Sequence, residues 1–110
     1  MKLTYEFNCL DGDYKLTVED DLFTVESTIE CFESRQGKAD INEFNKYLLL
    51  AKIDAWDKEY LGEEIEDGIK WSVNYNGHIS RGLETYEPYG YEYLIKAISL
   101  IEENADYFKA

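Results

Sequence analysis

Hydrophobic and polar residues alternate through the first third of the chain. Every second residue over positions 3–9 is hydrophobic and the residues between them are polar, a pattern typical of a half-buried β-strand. The alternation returns after a turn at residues 11–12 and again after residues 20–21, which predicts a second strand over 14–18 and a third over 23–31. We therefore expect a three-stranded meander with one apolar face and one face rich in acidic residues and threonines.

A helical spacing of hydrophobic residues follows a link at residues 34–38. Asp40, with Glu43 three positions later, matches the spacing of a capping box, although Asp replaces the usual Ser or Thr. The helix is expected to end near Gly62, because glycine commonly follows the last turn of a helix. Its hydrophobic stripe contains Ile41, Phe44, Leu48, Ala51 and Ala55.

A hairpin is predicted in the second half of the chain. Residues 69–75 alternate and lead into Asn76 and Gly77, a pair that strongly favours a two-residue turn. With that turn, Ile79 would lie on the face of the sheet opposite Trp71. A loop one residue longer, a bulge near Gly82, or partial cover of both faces would each account for this position. The sequence does not choose among the three.

The single proline, Pro88, is suited to the first turn of a second helix. The hydrophobic stripe of this helix contains Tyr91, Leu94, Ile95, Ile98, Ile101 and Ala105. The predicted order of elements is therefore β-β-β-α-β-β-α. We expect one α+β domain over residues 1–110, with a mainly antiparallel five-stranded sheet and both helices packed on one face. Its predicted core contains Phe7, Leu16, Val25, Phe44, Leu48, Trp71, Leu94 and Ile98.

The composition adds a large negative charge to this picture. The chain of 110 residues has 24 Asp and Glu against 11 Lys and Arg, a formal net charge of −13. Such a charge repels the phosphate backbone and disfavours direct binding of nucleic acid. It favours a partner protein that presents a basic surface. The hydrophobic fraction of 45% is large enough to fill a core and argues against disorder.

The first residues and the cysteines bear on the cellular compartment. The chain starts with a strand-like alternation rather than the apolar stretch of a secretion signal, and no apolar run approaches the ~20 residues of a membrane helix. We therefore expect a cytoplasmic protein. Cys9 and Cys31 fall at apolar positions of predicted strands. They are either reduced and buried, as is usual in the cytosol, or close enough to form a disulfide.

Candidate catalytic and metal-binding residues are few. His78 is the single histidine and lies beside a predicted turn, and no Ser or Cys motif accompanies it. The pair Asp11 and Asp13 and the acidic run at 63–67 lack the alternating ligands and closing glutamate of a calcium-binding loop. No glycine-rich phosphate loop is present. The sequence therefore predicts a protein that is not an enzyme and binds neither a metal nor a cofactor.

Acidic residues and tyrosines supply the candidate partner-binding residues. Residues 86–93 interleave four tyrosines with acids, and tyrosine is enriched at protein interfaces, although these rings could equally pack on the sheet. Alternate side chains on a strand lie ~6.5–7 Å apart, so Glu26 and Glu30 could belong to a row of carboxylates that imitates the phosphates of a nucleic-acid strand. The candidate residues are Glu26, Glu30, Glu63, Glu64, Glu66, Asp67, Tyr86, Glu87, Tyr89 and Tyr93.

At the level of protein class, the chain resembles the small acidic single-domain proteins that phages and mobile elements encode against host nucleases, including anti-CRISPR proteins. The length, the charge of −13 and the lack of a catalytic set carry the resemblance, together with the meander acids Glu19, Asp20, Asp21, Glu26, Glu30 and Glu33. It implies a nuclease or CRISPR–Cas inhibitor that acts by nucleic-acid mimicry. The chain also resembles immunity proteins that neutralise basic toxins. A small enzyme whose site is not visible in the sequence is the third alternative.

Overall fold

The computed structural model describes residues 1–60, 70–83 and 87–109. These residues contain two α-helices, seven β-strands and two short 3-10 helices, which bears out the predicted α+β class. The strands are β1 (Lys2–Cys9), β2 (Gly12–Glu19), β3 (Leu22–Ser27), β4 (Arg35–Lys38), β5 (Glu59–Tyr60), β6 (Lys70–Tyr75) and β7 (His78–Leu83). The helices are α1 (Ile41–Ala51) and α2 (Tyr91–Ser99), and the 3-10 helices are Ile53–Ala55 and Ala105–Phe108.

The seven strands form one mixed sheet in the order β4-β3-β2-β1-β6-β7-β5. All neighbours are antiparallel except β5 and β7, which are parallel. The prediction of five strands was therefore wrong, because the sheet has two further short strands at its edges. One of them, β4, occupies the segment expected to be a link, and Gly37 pairs there with Phe23. A Cβ at Gly37 would lie 2.9 Å from the Phe23 ring, so the glycine leaves room for that ring.

The third strand ends four residues earlier than predicted. Beyond Ser27 the chain turns, because the Ser27 hydroxyl accepts a 3.0 Å hydrogen bond from the backbone N–H of Ile29. Ile29 and Phe32 are buried, whereas Cys31 is exposed. The expectation that Cys31 occupies a buried strand position is therefore wrong. Cys9 is half-buried, and both thiols are free.

The first helix is also shorter than predicted. Asp40 caps its start by accepting hydrogen bonds from the backbone N–H groups of Asn42 and Glu43, as the sequence indicated. The helix ends at Ala51, because Lys52 adopts the left-handed conformation with φ of 54°. The Trp56 indole then donates a 2.9 Å hydrogen bond to the Ala51 carbonyl and covers the end of the helix. The predicted end near Gly62 is therefore wrong.

The β6–β7 hairpin has the two-residue turn that Asn76 and Gly77 predict, with φ of 51° and 93°. Its register is unbroken from Lys70 to Leu83, so neither a longer loop nor a bulge occurs. Trp71 pairs with Gly82, and a Cβ at Gly82 would lie 2.7 Å from the indole. The glycine therefore makes space for the indole, and Ile79 stays half exposed on the other face.

The buried hydrophobic residues form one core between the inner face of the sheet and both helices. All eight predicted core residues are at most 3% exposed, which confirms the predicted core. Aromatic rings fill much of it, and Phe108 contacts the rings of Tyr5, Phe7, Tyr14 and Phe32. The segment after α2 is therefore an integral part of the core.

Candidate functional site

The outer face of the sheet is balanced in charge. Residues that pair across adjacent strands share a face, so the register places as many basic as acidic side chains there. The acidic members are Glu6, Asp13, Glu19, Glu26 and Glu59, and the basic members are Lys2, Lys15, Lys38, Lys70 and Arg81. On the three meander strands alone this face holds four acids against Lys2 and Lys15, together with three threonines, as the sequence predicted. The balance arises because Lys38, Lys70 and Arg81 come from neighbouring strands that were not part of that prediction.

Glu26 illustrates this balance. It lies directly opposite Lys15, which in turn lies opposite Glu6 on β1. Glu6 also accepts a 3.3 Å hydrogen bond from the Ser72 hydroxyl. These side chains line a shallow concavity of about 450 Å³. Three carboxylates, those of Glu6, Asp13 and Glu26, therefore surround one lysine, which lies opposite both glutamates.

Glu30 does not share a strand with Glu26. Because β3 ends at Ser27, Glu30 lies in the turn that follows, where its side chain is exposed. The row of carboxylates proposed along the third strand is therefore absent from this part of the chain. The spacing argument for nucleic-acid mimicry fails at these two residues, since it depended on a continuous strand.

The segment after α2 packs beside the β1–β2 turn and the loop of residues 28–34. The Tyr107 phenol donates a 2.6 Å hydrogen bond to Asp11 Oδ2, and its oxygen lies 3.4 Å from Cys9 Sγ. The hydrogen bond to the Asp11 carboxylate raises the pKa of Tyr107 well above its ordinary value. The Phe32 ring meets the Tyr107 ring edge-on, with 5.2 Å between their centroids. Three segments far apart in sequence therefore converge at one end of the sheet.

A partly buried ion pair holds these segments together. Arg35 of β4 lies 3.2 Å from Glu102 Oε1 and also donates a 2.6 Å hydrogen bond to the Ile101 carbonyl. The Tyr14 phenol donates a 2.9 Å hydrogen bond to the same Glu102 carboxylate. Burial and this hydrogen bond raise the pKa of Tyr14 well above its ordinary value. The charge of Glu102 is thereby compensated within the fold, and the charges of its exposed acidic neighbours remain.

We call this region the acidic end and define it by Asp11, Glu30, Glu33, Glu103 and Asp106. Of these five residues, only Asp106 has an ion pair within the described part of the chain, a 3.3 Å contact with Lys109. All five side chains are exposed. Leu10 lies beside Asp11 at the tip of the β1–β2 turn and is 85% exposed. The acidic end thus combines five exposed carboxylates, of which one is paired with Lys109 and one is hydrogen-bonded to Tyr107, with one exposed aliphatic side chain.

The tyrosine segment lies at the start of α2 and is not part of the acidic end. Tyr89 is 89% exposed, whereas Tyr91 is buried and hydrogen-bonded to Tyr5. Tyr93 is half-buried, and the Lys96 ammonium lies 5.2 Å from its ring centroid, so a lysine of the chain already covers this ring. Glu87 is exposed. Among the described tyrosines of this segment, Tyr89 is therefore the most accessible.

The predicted site residues that the structure describes are not brought together. Glu26 lies on the outer face of the sheet, Glu30 at the acidic end, and Glu87, Tyr89 and Tyr93 at or just before α2. The remaining candidates fall outside the described residues, namely Glu63, Glu64, Glu66, Asp67 and Tyr86. Glu33 was among the meander acids singled out with Glu30, but Asp11, Glu103 and Asp106 were not predicted to lie at the same end of the sheet, because no local signal in the sequence joins these segments.

The part of the chain that the structure describes holds no group of three or more His, Cys, Asp or Glu side chains able to bind a metal ion. None of the helices in residues 1–60, 70–83 and 87–109 is long and apolar enough to cross a membrane. Comparison of the chain with protein-family models, curated proteins and solved structures gives no match. The arrangement of the site therefore has to be interpreted from its own chemistry.

Proposed function

We propose that this chain is a non-enzymatic interaction protein that binds a basic protein surface through its acidic end. The observation that carries the proposal is the uneven distribution of charge. Acids and bases balance on the outer face of the sheet, whereas Asp11, Glu30, Glu33 and Glu103 converge without an ion pair in the described part of the chain. A partner that supplies Lys and Arg would compensate them.

The packing beneath the acidic end supports the same proposal. The Tyr107 hydrogen bond to Asp11 and the Arg35 pair with Glu102 hold its segments on the core. Carboxylates held in place before binding lose less conformational entropy when a partner docks. Leu10 adds an exposed aliphatic contact beside them. Charge complementarity of this kind mainly accelerates association and selects the partner.

Within this class we favour an inhibitor of a nucleic-acid-binding enzyme, such as a nuclease or a CRISPR–Cas protein. A channel that binds phosphates presents the Lys and Arg side chains that an acidic surface requires. In this version the acidic end, rather than a strand of the sheet, would occupy the channel. A basic toxin neutralised by the same surface is the alternative partner.

The test is capture of partners from a host lysate at about 0.1 M and about 1 M salt, ionic strengths at which exposed charges are moderately and strongly screened. The Glu30→Lys/Glu33→Lys variant changes the acidic end. The Glu19→Lys/Glu26→Lys variant makes the same change of charge on the outer face of the sheet.

We expect high salt and the acidic-end variant to release the partner, and the outer-face variant to retain it. Circular dichroism of both variants checks that they are folded. Equal loss in the two variants would show that net charge alone drives capture. Capture that survives high salt would exclude an electrostatic interface. An in vitro nuclease assay with the captured protein then separates an inhibitor from a simple binder.

A further inference from the structure

A second concave site lies at the opposite end of the sheet from the acidic end. β1 runs from Lys2 to Cys9, and the β6–β7 turn adjoins its first residue, since the Asn76 N–H donates to the Lys2 carbonyl. A cavity of about 360 Å³ opens there, a volume in the range of small-ligand sites. Its lining residues are Leu48, Leu49, Asp54, Tyr75, Asn76 and His78.

The histidine of this cavity has its tautomer set by the backbone. His78 Nε2 lies 3.0 Å from the Trp56 carbonyl oxygen. A carbonyl oxygen only accepts hydrogen bonds, so Nε2 carries the proton and donates it. In the neutral ring, Nδ1 then carries the lone pair and accepts. His78 therefore contributes a hydrogen-bond acceptor and a planar ring.

The other lining groups also suit a cationic ligand. Asp54 contributes an exposed carboxylate that has no ion pair among the described residues. Tyr75 contributes a half-buried ring, and Leu49 a side chain that is 74% exposed. A ligand that matches these groups needs a positive charge, several planar donors and an aliphatic stem.

We propose that this cavity binds the side chain of an arginine in a peptide or protein ligand. The guanidinium donates hydrogen bonds to the Asp54 carboxylate and to His78 Nδ1, and its plane stacks on the Tyr75 ring. The methylene stem packs on Leu49. A lysine ammonium lacks the planar fork of donors and stacks less well. The proposal is independent of the acidic end, which lies at the other end of β1.

The experiment is a ¹H–¹⁵N NMR titration of the full chain with N-acetyl-L-arginine amide. We expect saturable shifts at the backbone amides of Asp54, Tyr75 and His78, and no saturable shifts at Asp11 or Glu30. The lysine amide should bind more weakly, and the uncharged citrulline amide should not bind detectably. Equal shifts with the citrulline amide, or equal affinity for the lysine amide, would overturn the proposal.

A pair of variants with the same change of charge completes the test. Asp54→Asn removes the carboxylate of the cavity, whereas Asp57→Asn removes an exposed carboxylate that is absent from its lining. We expect Asp54→Asn to weaken binding of the arginine amide by about three- to tenfold and Asp57→Asn to leave it unchanged. Equal effects of the two variants would show only general attraction to an acidic protein and would overturn the site.

Discussion

The Tyr14 phenol donates a 2.9 Å hydrogen bond to the carboxylate of Glu102, a residue 88 positions later in the chain. Both side chains are buried, and Arg35 completes the group from the edge of the sheet. This contact joins β2, β4 and the segment after α2. A buried carboxylate is tolerated here because a cation and a phenol compensate it together.

We predict that Glu102→Gln destabilises the protein by about 1–3 kcal/mol. The substitution keeps the shape of the side chain but removes the charge that Arg35 requires. Arg35 would then lose its ion pair at a half-buried position. Urea denaturation followed by circular dichroism measures the change in the free energy of unfolding.

The matched control is Glu103→Gln, which removes the same charge from an exposed neighbour. It should change the free energy of unfolding by less than about 0.5 kcal/mol. A loss of stability that is similar in the two variants would mean that the Glu102 contacts contribute nothing beyond net charge.

Buried tyrosines predict a loss of stability at alkaline pH. Burial raises the pKa of Tyr5, Tyr14 and Tyr91 well above their ordinary value in the folded state. Below the unfolded pKa of ~10 both states keep these protons, so these groups give stability no pH dependence there. Above ~10 the unfolded state releases protons that the folded state retains. The free energy of unfolding should then fall by about 1.4 kcal/mol per pH unit for each buried tyrosine.

Urea denaturation at a series of pH values between neutral and strongly alkaline measures this slope. Tyr14→Phe removes one titrating group and should make the decline shallower. Tyrosinate absorbance provides an independent check, because the buried phenols should ionise only as the protein unfolds. Ionisation of all ten tyrosines near their ordinary pKa in the folded protein would contradict the burial described above.

The central strands and the core could be predicted from the sequence because each depends on local periodicity. The two-residue turn of the hairpin was also predicted from Asn76 and Gly77, whose positive φ angles suit it, whereas the register beyond the turn stayed open. The register stayed open at Gly82 because a glycine within a strand is typical both of a bulge and of the close approach of another group. Only the position of Trp71 across the hairpin resolves that ambiguity.

The edge strand and the helix end could not be predicted for a different reason. β4 has four residues and no hydrophobic alternation, since its place in the sheet depends on pairing with β3. The end of α1 depends on Lys52 in the left-handed conformation, which lysine rarely adopts. Tertiary contacts such as the Trp56 hydrogen bond to Ala51 stabilise that end. Helix propensity alone does not predict these tertiary contacts.

The acidic end could not be predicted from the sequence because long-range contacts assemble it. Its acids lie in the β1–β2 turn, in the loop after β3 and in the segment after α2, and no local pattern in the sequence places these segments together. The hydrogen bond between Tyr107 and Asp11, 96 positions apart, brings them together. The balance of charge on the outer face has a similar origin, since Lys38, Lys70 and Arg81 lie on β4, β6 and β7 and join the meander acids on that face only through strand pairing.

Substitutions of the two accessible tyrosines near the start of α2 should differ in their effect on stability. Tyr89→Ala should change the free energy of unfolding by less than about 0.5 kcal/mol, because the side chain is 89% exposed. Tyr93→Ala is the matched substitution in the same segment and should cost about 1–3 kcal/mol, because its half-buried ring packs on the core. Thermal or urea denaturation of both variants measures the difference.

The same two variants test whether this segment contacts a partner. If Tyr89 contributes to the interface, Tyr89→Ala weakens partner binding by more than about 1 kcal/mol while the protein keeps its stability. Tyr93 is already covered by Lys96, so its ring offers less surface to an arginine of the partner. Unchanged affinity in Tyr89→Ala would remove the tyrosine segment from the interface. The acidic end would then remain the proposed interface with a basic partner protein, and the Glu30→Lys/Glu33→Lys variant would test it.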